Sequence, residues 1–411
     1  MSDAALNRRM DDMRHPPKAV VIGTGARPAG LLALYGASIV GRLPAGAVAL
    51  VLLLRTREMT GSYAAGGIVA AVNGIALCVA SPFLGRRIDR RGQRATLLAL
   101  GAASAAALAG FAALPDATPL ALVSLVAVLA GCTTPPLSAC VRAVLSDVVP
   151  ADGRHRAFAL DSTVFELIYI AGPLVLVGIV GAWSLRGAVG ACALLTVAGT
   201  TAFAATRLSR TWRGRKPGPA DIRGPLREAG VRVLIAVVAV LGLGIAGLEV
   251  ALAAFSEAEG SPNAIGVLLA LSGVGSMTGG LLAARGRAPE RPERRLTLLL
   301  LSLALLEVPL ALVHSLPAMA AAMVIGGLAI APSLALAFQL VGDVAPPGTA
   351  TEALAWMGSA TAAGLAAGAA VAGALVERFG TTVALGSIVA YGLVAMALTA
   401  VNAPALTPRA R

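Results

Sequence analysis

Twelve apolar stretches, separated by short polar segments, run along the chain from Ala29 to Val401. A helix needs roughly 20 mainly apolar residues to cross a bilayer, and each stretch is about that long. The pattern therefore predicts an all-α membrane protein with twelve transmembrane helices, which we number as spans. The predicted spans are 29–54, 63–84, 95–114, 119–145, 157–181, 185–205, 231–255, 264–284, 295–313, 316–341, 351–376 and 382–401.

Basic residues concentrate in alternate loops between the spans. The loops after spans 2, 4, 6 and 8 are rich in arginine, whereas those after odd-numbered spans contain few basic residues. Because basic loops stay on the cytoplasmic side, this pattern predicts that both termini are cytoplasmic, with tails at residues 1–28 and 402–411. Arg55 and Arg57 are exceptions, since they fall on the predicted outer side.

The chain divides into two predicted halves. Residues 206–230 form a basic, proline-containing linker between a six-helix bundle at 29–205 and a second at 231–401. Six spans is an even number, so the second bundle repeats the first in the same orientation, a plan known among transporters. A shift of 196 residues aligns spans 4 and 5 with spans 10 and 11, and its matched pairs include Gly131 with Gly327, Pro136 with Pro332, Asp147 with Asp343 and Gly172 with Gly368.

The composition suits a chain embedded in lipid and excludes several functions. Charged residues make up 13% of the 411 residues, against about 25% in soluble domains. A net charge of +12 would suit nucleic acid, but only 4% of residues are aromatic, too few for platforms on which bases stack. The sequence contains no Walker motif, no metal-ligand set and no clustered nucleophile and base. We therefore expect a monomer that is not an enzyme and binds no nucleic acid, metal or cofactor.

The loop between spans 2 and 3 carries the most specific motif of the chain. Its residues fit the pattern Gly-x-x-x-Asp-Arg-x-Gly-x-Arg through Gly85, Asp89, Arg90, Gly92 and Arg94. The match lies on the predicted cytoplasmic side between spans 2 and 3 of twelve, and there the chain resembles the major facilitator superfamily. The resemblance implies a transporter that works by alternating access between two six-helix bundles.

Each residue type in this motif has a physical use. Gly85 permits close contact with another helix, and Gly92 permits a tight bend. Asp89 can face the positive N-terminal end of a neighbouring helix, which the resemblance implies is span 11, beginning near Thr351. Arg94 or Arg90 could pair with Asp147 at the cytoplasmic end of span 4. We predict that these contacts gate the transporter; the alternative is a positive anchor for the loop without a gating role.

Span 5 carries a second, partial resemblance. Its Gly172 and Pro173 are similar to the Gly-Pro signature in span 5 of proton-coupled exporters of the same superfamily. The resemblance implies that these two residues take part in the conformational change. A proline kink with a close helix contact, which many membrane helices use, is the alternative.

Charged residues inside the spans are candidates for the transport site, because burying them in hydrocarbon costs on the order of 2.5–3.5 kcal/mol each. Arg42 lies about 18 Å along span 1 at the helical rise and should face a central cavity and meet an acid. Glu166 on span 5 is the predicted proton carrier, with Arg42 as its partner. Asp161 and Arg142 are predicted to pair nearer the cytoplasmic side, in a structural role. Glu249 in span 7 lies roughly opposite Arg42 and is a candidate for proton or cation binding, or for a structural role.

These observations together predict a secondary active transporter of the plasma (inner) membrane. We expect it to export a small organic molecule in exchange for protons. The alternatives are a sugar or metabolite importer or effluxer of the same superfamily, and a receptor or scaffold on the same fold that transports nothing. The bias towards arginine and alanine, with few lysines, suggests a bacterial source with a high GC content.

Overall fold

The computed structural model describes residues 28–150, 153–165, 167–168, 184–213, 224–261, 264–286 and 289–407. Throughout these ranges every regular element is helical, and eleven helices or helix pairs are long and apolar enough to cross a membrane. The all-α membrane fold predicted from the apolar pattern is confirmed. The helices are Pro28–Arg42 and Val48–Thr60 (span 1), Tyr63–Arg91 (span 2), Gln93–Ala113 (span 3), Leu120–Thr133 and Leu137–Val148 (span 4), Leu185–Ala205 (span 6), Ala229–Ala258 (span 7), Ala264–Arg285 (span 8), Pro292–Leu312 (span 9), Leu316–Gly327 and Ile330–Val344 (span 10), Ala350–Phe379 (span 11) and Thr381–Val401 (span 12).

Span 5 is described only at its beginning. A helix covers residues 153–165, so the chain turns helical a few residues before the predicted start of this span. Glu166, Gly172 and Pro173 lie outside the described residues. Their predicted roles therefore remain predictions from the sequence.

Among the spans that the structure describes in full, three are interrupted near their middle, which the apolar pattern did not predict. Span 1 ends its first helix at Arg42 and passes through a 3-10 turn, Leu43–Gly46, before the next helix begins. Pro44 in this turn has no backbone N–H to donate, so the α-helical ladder stops there. Breaks of this kind are common where the spans of transporters form a binding site.

The interruptions of spans 4 and 10 correspond to each other under the sequence repeat. The shift of 196 residues carries Leu120, where span 4 begins, onto Leu316, where span 10 begins. It also carries Val148 at the end of span 4 onto Val344 at the end of span 10. The two spans therefore share their length as well as a break.

Glycines at repeat-related positions bring neighbouring spans into close contact. A Cβ atom added at Gly131 in span 4 would collide with the backbone oxygen of Asn73 in span 2. One added at Gly327 in span 10 would collide with the backbone oxygen of Ser272 in span 8. Small residues that allow such approaches drive helix association in membranes, where lipid removes the hydrophobic driving force.

Contacts between the predicted halves involve a few spans. Span 2 packs along span 11, and the second helix of span 4 packs against spans 10 and 11. Within the second half, span 7 packs against spans 11 and 12. Many large apolar side chains remain exposed on the outside of this assembly, among them Leu32, Ile75, Leu194 and Val267, as suits surfaces that face lipid.

Candidate functional site

Three charged side chains meet inside the first half of the chain. The Oδ1 atom of Asp161 accepts a hydrogen bond of 2.9 Å from Nη1 of Arg42, and its Oδ2 atom accepts one of 2.6 Å from Nε of Arg142. All three residues are buried, with exposed fractions of 4% for Arg42, 5% for Arg142 and 0% for Asp161. We call Arg42, Arg142 and Asp161 the charged cluster.

The cluster joins residues that the sequence placed in separate groups. The expected pair of Arg142 and Asp161 is present, but Asp161 is wholly buried and also binds Arg42. The predicted position of this pair near the cytoplasmic side of the membrane stays a prediction. The acid that Arg42 needed is Asp161, 119 residues away, and no local pattern in the sequence could indicate that partner.

Aromatic rings flank the guanidinium groups of the cluster. The Cζ atom of Arg142 lies 3.7 Å from the ring centroid of Phe338, and Phe165 lies 5.6 Å from Arg42 and 5.8 Å from Arg142 by the same measure. The face of an aromatic ring attracts a cation. Because Phe338 belongs to span 10, the cluster of the first half touches the second half.

The two remaining candidates for proton coupling are not placed in this cluster. Glu166 lies outside the described residues. Glu249 has an exposed side chain on span 7, and no hydrogen bond or ion pair links it to another of the described residues. A coupling role for either carboxylate stays a prediction.

Asp89 caps the beginning of span 11 from the end of span 2. Its Oδ1 atom accepts a hydrogen bond of 3.1 Å from the backbone N–H of Thr351, and its Oδ2 atom accepts one of 2.9 Å from that of Glu352. The first N–H groups of a helix have no partner within the helix and favour a negative charge. The contact with span 11 that was expected for Asp89 is present.

An ion pair reinforces this contact, and sequence reasoning missed it. Nε of Arg86 donates to Oε2 of Glu352 at 2.9 Å, and Nη2 donates to Oε1 at 2.6 Å. Two parallel bonds of this kind form the strongest type of arginine–carboxylate pair. We call Arg86, Asp89, Thr351 and Glu352 the span 2–11 latch.

The glycines of the motif have the geometry expected for them. A Cβ atom at Gly85 would lie 2.9 Å from the Cα atom of Glu352 and from the backbone oxygen of Thr351, so only glycine lets spans 2 and 11 approach this closely. Gly92 has a φ of 86°, a conformation that side chains disfavour, and it joins span 2 to span 3.

Three further residues of the predicted gate, all within the described ranges, are at the surface. Arg90 and Arg94 are exposed. Asp147 accepts a hydrogen bond of 3.0 Å from the indole N–H of Trp212, beyond span 6. The pairing of Asp147 with Arg90 or Arg94 stays a prediction.

A second set of contacts joins the beginning of span 5 to the second half. Nη1 of Arg154 lies 2.9 Å from Oδ1 of Asp343 at the end of span 10. Nε of Arg156 donates a hydrogen bond of 2.9 Å to the backbone oxygen of Ala284 at the end of span 8. The shift of 196 residues carries Arg156 onto Glu352, so the latch and this second set occupy equivalent places in the repeat.

Arg55, an exception to the loop-charge rule, is buried on the predicted outer side. Its guanidinium binds the carboxylates of Glu58 at 2.8 Å and Asp116 at 2.6 Å. Asp116 also binds Arg186 at 2.9 Å, and the hydrogen bonds from Arg55 and Arg186 lower the pKa of the Asp116 carboxyl. These acids bind the positive charge of Arg55, which explains why a basic residue is tolerated on this side.

Comparison with known proteins identifies the family. The sequence profile described as Major Facilitator Superfamily matches residues 34–306 and 233–410, so the chain belongs to the major facilitator superfamily. It is a secondary transporter and not an enzyme. No curated protein sequence matches the chain.

Solved structures of several transporters share the fold. The human organic anion transporter MFSD10 (TETRAN) is 18% identical with a TM-score of 0.73, and the match covers 92% of this chain and 100% of that one. A bacterial homologue of the iron transporter ferroportin, in an outward-facing state, is 14% identical with a TM-score of 0.67, covering 92% and 99%. The E. coli fucose:proton symporter FucP is 15% identical with a TM-score of 0.67, covering 91% and 97%.

Proposed function

We propose that the chain exports a small organic molecule across the plasma membrane in exchange for protons. The charged cluster is the observation that carries the proposal. Burying three ionised side chains costs more free energy than a role in packing alone would justify. Ionisable residues buried within transmembrane helices typically line the pathway of a substrate or ion. The cluster joins spans 1, 4 and 5 and touches span 10.

Transport in this proposal proceeds by movement of two bundles, residues 29–205 and 231–401, around the cluster. The shared breaks and ends of spans 4 and 10 support an internal repeat, and in transporters such repeats rock against each other around a fixed site. Residues 206–230 link the bundles.

The contacts between the halves support an outward-facing state for this structure. The span 2–11 latch and the pair of Arg154 with Asp343 both lie on the predicted cytoplasmic side. Opening that side to release or admit substrate requires these charge-assisted bonds to separate together. In this view Asp89, Gly85 and Gly92 act in gating, as the motif predicts.

The export direction rests on the sequence. Gly172 and Pro173 resemble the signature of proton-coupled exporters, and Glu166, five residues after Asp161 in the sequence, is the predicted proton carrier. Glu249 in span 7 offers a second carboxyl group in the other half. An importer of the same superfamily would use the same fold with substrate and protons moving in the same direction.

The test is proton movement in proteoliposomes that contain purified protein and an internal pH-sensitive dye. A panel of neutral, cationic and anionic organic compounds is added under an imposed pH gradient. We expect at least one compound to move in the direction opposite to protons. Arg42→Gln should lower the coupled rate by about tenfold or more, as expected for the loss of one charge-assisted bond.

Arg210→Gln is the matched control, because Arg210 is an exposed arginine in the linker, outside the charged cluster. It should leave the rate unchanged. Movement of substrate and protons in the same direction would support the importer. A folded protein that moves no compound of the panel would contradict transport and favour a receptor or scaffold.

A further inference from the structure

The charged cluster carries one more positive charge than negative. Asp161 is the one acid that the described residues bring into contact with Arg42 and Arg142. Both carboxylate oxygens of Asp161 are engaged, one by each arginine. The two guanidinium groups and one carboxylate therefore leave a net charge of about +1 in a buried site, since arginine stays protonated in proteins.

One donor of the cluster also lacks a partner. Among the described residues, no atom accepts a hydrogen bond from Nη2 of Arg42, although this atom is buried. A buried donor without a partner costs free energy, and more so when it is charged. Most buried polar groups in native structures have a hydrogen-bond partner, so an exception such as this one calls for an explanation.

The surroundings of the cluster favour an organic ligand. Phe165 and Phe338 present ring faces near the guanidinium groups, which stabilises the positive charge but does not neutralise it. Span 1 breaks at Arg42, so its helical backbone is interrupted at the position of the unpartnered donor. An apolar body beside the rings and an acidic group at Arg42 would fit this arrangement.

We propose that the transported molecule is an organic monoanion whose acidic group, most simply a carboxylate, binds Arg42 in the charged cluster. The negative charge of this carboxylate would make the cluster neutral, and one of its oxygens would accept a hydrogen bond from the buried Nη2 atom. A guanidinium group can bind a carboxylate through two parallel hydrogen bonds. The inference names the substrate class of the proposed transport site and rests on that function.

Binding is tested by the melting temperature of the purified protein in detergent, because a ligand that binds the folded state raises it. The probes are benzoate, salicylate and hexanoate, each compared with its primary amide of nearly equal size, in buffer without chloride. At least one carboxylate should stabilise the protein in a concentration-dependent way, and its amide should bind about 10–100-fold more weakly.

Variants assign the effect to the cluster. Arg42→Gln should abolish the difference between carboxylate and amide, whereas Arg42→Lys, which keeps the charge, should retain part of it. Arg210→Gln on the surface should behave as the wild type. Retention of the full carboxylate preference by folded Arg42→Gln would overturn the proposal.

Other results also overturn it. The first is an amide that raises the melting temperature as much as its carboxylate does, and the second is a panel in which no carboxylate raises it. The third is a titration in which chloride alone produces the full rise in melting temperature and prevents any further rise with carboxylate. Proton exchange with a neutral compound in proteoliposomes would reject the anion while leaving the transport function standing. Carboxylate binding without any flux would reject transport instead.

Discussion

At the scale of single residues, Asp161 determines the energetics of the charged cluster. It holds two guanidinium groups that come from spans 1 and 4, and it is fully buried. Removing one partner of a buried ion pair costs more than the pair contributes, because the remaining charge stays buried without compensation. The residue should therefore be more sensitive to substitution than any carboxylate at the surface.

Asp161→Asn should lower the free energy of unfolding by about 3–5 kcal/mol. The physical reason is that two buried arginines then share one neutral amide. The measurement is reversible unfolding in detergent or lipid. Asp116→Asn is the matched control, since Asp116 is exposed and Arg55 keeps Glu58 and the backbone oxygen of Leu114 as partners. Equal losses for the two variants would contradict the central position of Asp161.

At the scale of helices, Gly85 sets the distance between spans 2 and 11. An added Cβ atom would meet backbone atoms of Thr351 and Glu352, and backbone cannot turn aside as a flexible side chain can. Overpacking of this kind costs about 1–3 kcal/mol. A larger side chain at Gly85 should therefore destabilise the contact between spans 2 and 11 while each helix stays intact.

Gly85→Ala should speed hydrogen exchange at the first turns of span 11, around residues 350–357, as the latch opens more often. Gly74→Ala is the control in the same helix, because nothing lies within 4 Å of a Cβ atom there. Exchange that is the same in both variants would argue against close helix contact as the basis of the latch.

The outer ends of spans 1 and 6 are joined to the loop between spans 3 and 4 through Asp116. Its pKa in the folded protein lies below the ordinary value, because Arg55 and Arg186 bind its ionised form. These two ion pairs therefore stabilise the folded protein fully at pH values above the unfolded pKa of about 3.9. The stabilisation is lost as the pH falls through the lower pKa that Asp116 has in the folded protein.

The difference in melting temperature between the wild type and Asp116→Asn should shrink as pH is lowered from neutral to below about 4. The measurement is a series of thermal unfolding curves for the two proteins across this range. A difference that is constant or grows on acidification would show that the ion pairs do not stabilise this end of the protein.

The sequence was sufficient for the helices but not for most of their partners. Apolar stretches place spans such as 95–114 within two residues of the observed Gln93–Ala113, because lipid requires length and apolar composition that are visible locally. The break of span 1 at Pro44 had a local signal that the apolar pattern hid. Arg86 and Glu352 are 266 residues apart, and their pairing depends on how the helices are rotated and packed against each other. No short segment of the sequence indicates that arrangement.

At the scale of the whole molecule, we propose that two bundles alternate around the charged cluster and that the latch holds the predicted cytoplasmic side closed. A two-state equilibrium of this kind responds to the loss of contacts made in only one state. Substituting Asp89 removes both acceptors for the first N–H groups of span 11 and should therefore favour the open state.

The most direct test measures the distance between the halves by double electron–electron resonance. Spin labels are attached to cysteines at Arg91 and Pro347, both exposed, after the native cysteines are replaced by alanine. We predict a dominant short distance in the otherwise unchanged protein and a second, longer population in Asp89→Ala, with Asp116→Ala as control. A single distance that Asp89→Ala leaves unchanged would contradict the alternation of the two bundles about this latch.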